Sequence, residues 1–134
     1  MADKAIQLEV VTPEKIVLQE EVDLVVAPGS EGYLGILADH APIITSLEIG
    51  VAKIKKGNEE ILMALSGGFL EVKDNKATIL ADTAERSNEI DINRAKSAKE
   101  RAEQRLTAKS ADVDLDRAEV ALRRAVSRLK ASGQ

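Results

Sequence analysis

The sequence predicts an α+β protein, an N-terminal antiparallel β-sandwich over residues 1–84 followed by a C-terminal α-helical hairpin over residues 85–134. Three observations predict it. Apolar residues recur with period two as far as Asp82, broken by turn residues at short intervals. Beyond Asp82 the spacing becomes three and four, the signature of one helix face. Charge divides at the same place: residues 1–84 hold 7 Lys, no Arg and 14 acids, near −7, whereas residues 85–134 hold 12 basic and 9 acidic residues, near +3.

The strands follow in order. Ile6, Leu8 and Val10 alternate with Gln7 and Glu9, and Thr12-Pro13-Glu14 then turns the chain, with Pro13 fixing φ. KIVLQ and VDLVVAP read as the next two strands. EIGVAKIKK alternates loosely, Gly57-Asn58 reverses it, and EEILMALSGGFLEV is expected to return as two strands joined near Gly67-Gly68. Lys73-Asp74-Asn75-Lys76 makes another hairpin turn before ATILAD. Strands at this spacing predict a sandwich or barrel of about 8 to 10 strands, with Phe69 and the Leu and Met residues around it in the core.

In the second region Ile92, Ala95, Ala98, Ala102 and Leu106 form one helix face, with Asn88 or Asp91 placed to cap its start. TAKSAD interrupts the pattern at Thr107–Asp112. Leu115, Ala118, Leu122, Ala125 and Leu129 resume it, with Asp112, Asp114 and Asp116 toward the first turn and Arg128 and Lys130 in the last, as the helix dipole favours. Two helices with one short connection predict an antiparallel hairpin. It is thinly glued: between Asp91 and Ala131 there are nine Ala and only four Leu. A buried methyl contributes about 0.8 kcal/mol where a Leu contributes about 1.5 to 3. Such a pair serves equally as a permanent cover for the sandwich or as a movable element.

Composition excludes several functions. Cys is absent, which removes disulfides, thiolate zinc sites and cysteine nucleophiles. Tyr33 and Phe69 are the only aromatic residues, too few for a base-stacking platform. His40 stands alone and reads as a hydrogen-bonded loop histidine. Gly29, Gly32 and Gly35 are not followed by Gly-Lys-Ser/Thr, so they read as a chain reversal rather than a phosphate loop. The opening MADKAIQLEVV lacks the basic-then-apolar shape of a signal peptide, and no run of about 18 apolar residues occurs. A soluble, cytoplasmic protein is expected, reaching a membrane only through another protein.

All eight arginines follow residue 85. On a helical wheel Arg94, Arg101 and Arg105 flank the seam of the first helix, and Arg117, Arg124 and Arg128 flank that of the second. Guanidinium groups converging along one edge suit phosphate, because the planar fork gives bidentate bonds that Lys cannot copy; a nearby carboxylate, Asp91 or Glu85, can orient an Arg or accept from ribose or an adenine amine. Any single arginine is equally explained by solvated i, i+4 ion pairs, worth only tenths of a kcal/mol. The set fits a phosphate or an acidic partner. Nucleic acid is not expected, since the tail holds nine acids and no aromatic residue.

SEGYLGILADHAPIITSLEIG, ALSGGFLEV, ATILADTAERSNEIDINRA and the closing Ala/Arg hairpin together resemble the epsilon subunit of bacterial F-type ATP synthase, in order and across essentially the whole chain. Ala38-Asp39 departs from the Pro-Gly that the family commonly carries before the His. The resemblance implies a non-catalytic rotor subunit at the cytoplasmic face of the bacterial membrane, peripheral and not inserted. Its sandwich would sit on the gamma subunit and the membrane ring of c subunits, with Glu31, Gly32, Tyr33 and His40 near the rotor. It further implies a hairpin that folds down on the sandwich, as expected of the isolated chain, or extends to block ATP hydrolysis against the alpha and beta subunits. The folded form would bind ATP, with or without Mg, through Ile90, Asp91, Arg94 and Ala95, with Glu85, Arg101, Arg124 and Arg128 as further contacts. The alternative is the same subunit with a hairpin that binds ATP too weakly to sense it.

Overall fold

The computed structural model describes residues 4–108 and 114–133. Among these, eight strands precede two helices: β1 (Ile6–Val11), β2 (Ile16–Val22), β3 (Leu24–Gly29), β4 (Gly32–Leu37), β5 (Ile43–Lys56), β6 (Glu59–Lys73), β7 (Lys76–Ala81), β8 (Ala84–Arg86), α1 (Ile92–Ala108) and α2 (Leu115–Ala131). A 3-10 turn, Ser87–Glu89, joins β8 to α1. The sheet order is β2-β1-β7-β6-β5-β3-β4, with β8 added beside β6.

One continuous sheet makes both layers of the sandwich, because β5 and β6 are long enough to belong to each. Ile43–Leu47 of β5 and Gly68–Lys73 of β6 pair in the layer that also holds β7, β1 and β2. Ile49–Lys56 and Glu59–Ser66 pair in the layer that holds β3, β4 and β8. The expected break at Gly67-Gly68 is therefore a bend within one strand. Both glycines have positive φ, 100° and 139°, and a Cβ at Gly68 would overlap the Leu80 carbonyl oxygen, so the bend needs residues without side chains. A second departure from simple antiparallel order is the parallel ladder between β1 and β7. Those strands are joined through the whole intervening meander, a connection long enough to bring the chain back in the same direction.

Alternation places large aliphatic side chains inside. Ile6, Leu8, Val10, Ile54, Met63, Leu70 and Ile79 are all fully buried in one core. The second layer is covered on both faces: Ala52, Ile54, Met63 and Leu65 point into the sandwich, while Val51, Leu62 and Ala64 meet Ile90 and Ala131 on the hairpin side. Phe69 corrects the sequence reading. Its neighbour Leu70 takes the inward position, and period two turns Phe69 outward, 57% exposed.

The hairpin lies folded down, with α2 across β5 and β6 and α1 against α2. Asp91 caps α1, its Oδ1 accepting from the Arg94 amide at 3.0 Å, and Asp114 caps α2, accepting from the Arg117 amide at 3.1 Å. Asp114 is thus the cap rather than a first-turn residue, while Asp116, Arg128 and Lys130 stand where the dipole argument put them. Helix α1 runs on through Thr107 and Ala108, since Thr107 Oγ1 bonds back to the Glu103 and Gln104 carbonyls and leaves the helix intact. Ala111 and Asp112 lie outside the described residues. The buried helical residues are mostly alanines, Ala95 and Ala102 on α1 and Ala118, Ala125 and Ala131 on α2, with Leu129 the one large side chain among them.

Candidate functional site

The Ile-Asp-x-x-Arg-Ala stretch is first of all a helix start. Ile90 is buried as the plug under the turn, Asp91 is the cap, and Ala95 is buried at the close approach of the helices. Arg94, on the exposed side of that first turn, is left free to point out. Upstream, β8 holds Glu85 opposite Ala64 in the sheet, so Glu85 belongs to the sandwich rather than to the helices. The turn between them is closed by the Arg86 amide donating to Glu89 Oε1 at 3.2 Å.

The last turn of α2 brings Arg128 to this point, its Nε 2.6 Å from Glu85 Oε1 across 43 residues of chain. Glu85, Glu89, Asp91, Arg94, Ala95 and Arg128 consequently line one cleft of about 190 Å³. Three separate elements supply it: β8, the start of α1 and the end of α2. Arg124, one turn earlier on α2, shares a smaller recess with Glu85 and Arg128. Arg101 is exposed and lines neither opening, because it lies two turns along α1, about 10 Å from Arg94. Of the eight residues predicted for this site, five line the cleft, Ile90 supports it from beneath, Arg124 adjoins it and Arg101 stands apart.

Among the described residues, two arginines of the helices form ion pairs: Arg128 with Glu85, and Arg123 with Glu48 of β5 at 3.2 Å. The wheel singled out Arg124 and passed over Arg123. No spacing within the helix could have found Arg123's partner, which comes from the sheet.

The predicted rotor-facing residues fall in two places. Glu31 stands with Ser30 in the tight β3–β4 turn, Gly32 opens β4 opposite Gly29, and Tyr33 next to it is 64% exposed. His40 lies past the other end of β4, a six-residue strand about 20 Å long. Its Nδ1 is 2.7 Å from the Ala41 carbonyl oxygen, a loop histidine bonded to its own neighbourhood. An apolar row on the outer face of the first layer was not foreseen from the sequence. Phe69 stands opposite Leu80, Leu80 opposite Val11, and Val11 opposite Ile16. Phe69, Leu80 and Ile16 are each more than half exposed. The next row on that face is polar through Gln19, Glu9, Thr78 and Glu71 and ends at Ile44, opposite Glu71 and 72% exposed, so most of the apolar groups share one row.

A sandwich with an exposed apolar row and a helical pair folded over a charged cleft defines a two-module α+β protein. The family comparisons divide the chain the same way. The beta-sandwich domain of the ATP synthase delta/epsilon chain matches residues 5–87, and the long alpha-helix domain matches residues 88–133. The chain belongs to the ATP synthase delta/epsilon chain family, central-stalk subunits that have no active site of their own. It is 55% identical to the ATP synthase epsilon chain of Pelotomaculum thermopropionicum over 134 residues, all of both chains. It is 58% identical to that of Carboxydothermus hydrogenoformans over 110 residues, 82% of this chain and 81% of the relative. Among solved structures, a chain of the Euglena gracilis mitochondrial ATP synthase (OSCP/F1/c-ring) superposes with a TM-score of 0.85 at 26% identity, over 100% of this chain and 84% of that one. A chain of the Tetrahymena thermophila enzyme's central stalk and c-ring shares the fold, with a TM-score of 0.60 at 20% identity, over 98% and 99% of the two chains.

Proposed function

We propose that the sandwich couples a gamma-type stalk subunit to the membrane rotor ring of c subunits, and that the folded hairpin is a nucleotide-responsive brake on ATP hydrolysis. The apolar row from Ile16 to Phe69 supports the stalk contact, since a concentrated apolar patch gains most by being covered. The Glu31-Gly32-Tyr33 turn, and His40 at the far end of β4, are the candidate rotor-ring contacts. No described helix is long and apolar enough to cross a membrane, so attachment at the cytoplasmic face of the bacterial membrane would run through these partners.

The observation that carries the brake is the composition of the cleft. Because Glu85, Asp91, Arg94 and Arg128 come from three elements, the cleft exists only while the hairpin is down. ATP held there, with or without Mg, favours the folded state by its differential affinity. When ATP is scarce, the extended state gains and its freed arginines meet acidic surfaces of the alpha and beta subunits. Asp91 also caps α1, so Asp91→Ala would confuse a lost ligand contact with a lost cap; Asp91→Asn retains the capping oxygen. Calorimetric titration of ATP is expected to show binding by the wild type and at least about tenfold weaker binding, 1.4 kcal/mol, in Arg94→Ala and Asp91→Asn. Equal affinities across the three would remove the site. No heat in any of them would favour the second reading, a stalk subunit whose hairpin holds ATP too weakly to sense it.

A further inference from the structure

Ser127 stands on α2 between Arg124 and Arg128, and it is 5% exposed. Among the described residues its Oγ is the one buried side-chain oxygen or nitrogen without a hydrogen-bond partner. A helical serine ordinarily bonds back to a carbonyl one turn earlier; this one does not. It faces a recess of about 10 Å³ bounded by Ser66, Thr83, Glu85, Arg124 and Arg128. The neighbouring hydroxyls are already engaged, Thr83 donating to Ser66 Oγ, and Glu85 accepts from Arg128 Nε. Among the described residues no hydrogen bond engages the Ser127 hydroxyl or the outer N–H groups of Arg124 and Arg128.

We propose that Ser127 is a further ligand-binding residue, donating its hydroxyl to an oxyanion oxygen held between Arg124 and Arg128. The recess admits about one oxygen-sized atom, enough for a single phosphate oxygen and too little for a whole phosphate group. Two guanidiniums and a hydroxyl turned to donate suit such an oxygen, with the Glu85 carboxylate on the same wall offset by its bond from Arg128. The recess shares Glu85 and Arg128 with the larger cleft, so a nucleotide lying there reaches Ser127 through its phosphates. The proposal rests on the nucleotide reading above and deepens it. Leaving the hydroxyl unpaired weakens the empty docked hairpin, and pairing it on ligand binding sharpens the ligand's preference for that state.

Ser127→Ala tests this, because Ala suits a helix interior and thermal unfolding will verify that the variant is folded. ATP, tripolyphosphate and adenosine are titrated separately into the full chain by calorimetry. The expected result is about tenfold weaker binding of ATP and tripolyphosphate in Ser127→Ala, with adenosine unaffected. ATP binding by the variant that equals or exceeds the wild type overturns the proposal, whether because a trapped water already satisfies the hydroxyl or because the defect serves only to loosen the hairpin. If Arg94→Ala loses ATP while Ser127→Ala does not, the nucleotide reading stands and Ser127 falls. If the wild type binds tripolyphosphate but not ATP, and Ser127→Ala loses it, the oxyanion site stands and the nucleotide reading falls. If the wild type binds neither, both fall.

Discussion

The sandwich and the hairpin bury side chains of different sizes, and the difference assigns their roles. The sandwich interior is filled mainly by buried Ile, Leu, Val and Met with a few alanines between them, joined in one core by ladders on every strand. The hairpin region meets the sheet through Ile90 and Ala131 and meets itself through alanines, with Leu129 beside α1 in the seam between the helices. Two partly exposed ion pairs, Arg123–Glu48 and Arg128–Glu85, add to the contact with the sheet. Free energy per residue is concentrated in the frame. The attachment is light, which the change of position proposed above would require.

The largest expected contrast comes from equivalent truncations in the two regions. Leu70→Ala, in the fully buried core, is expected to cost about 3 kcal/mol and to lower the urea midpoint of the whole sandwich. Leu129→Ala is expected to cost about 1 to 2 kcal/mol of packing between the helices, read as faster amide exchange in α1 and α2, with the sandwich midpoint unchanged. Loss of sandwich stability in the second variant would erase the distinction. A smaller effect is expected from a double-mutant cycle on Arg128→Ala and Glu85→Ala in the unliganded chain. The pair is about one-third exposed, so a coupling of about 0.5 to 1 kcal/mol, shrinking with added salt, is expected. A coupling that ignores salt would mean that the attachment is packing rather than charge. The smallest effect lies in the sandwich: Asp39 holds φ at 61°, a left-handed conformation that glycine adopts freely. Asp39→Gly is expected to raise stability by about 0.5 kcal/mol in urea titration, since the Lys4 pair it gives up is mostly exposed. A loss instead would show that the Lys4 contact matters at this turn.

Local chemistry made much of the fold legible in the sequence. The Asp74-Asn75 turn, with φ of 52° and 60°, and the Gly57-Asn58 turn were readable because few residue types tolerate such backbone angles. The helix caps and the alanine seams were readable from spacing. The parallel β1–β7 pairing was not, because which strands neighbour each other is decided by the packing of the whole sheet. Phe69 misled because hydrophobicity alone says inside, whereas the strand's phase says outside. At the cleft, Asp91 and Arg94 were tied by helical spacing, but the meeting of Glu85 with Arg128 depends on how α2 is laid on the sheet, and composition carries no record of that. Ser127 gave no signal at all, since a serine before an arginine in a helix reads as surface.

The bent ribbon of β5 and β6 has a mechanical consequence. In a sandwich made of two separate sheets, sideways load on one sheet is resisted mainly by interdigitated side chains, which can slide. Here two unbroken peptide chains, paired on both sides of the Gly67-Gly68 corner, tie the sheets together, so shear has to stretch covalent backbone or peel a ladder. For the stalk role proposed above, the sandwich is thereby braced against sideways load, and any change of shape would fall to the two lightly packed rods at the end.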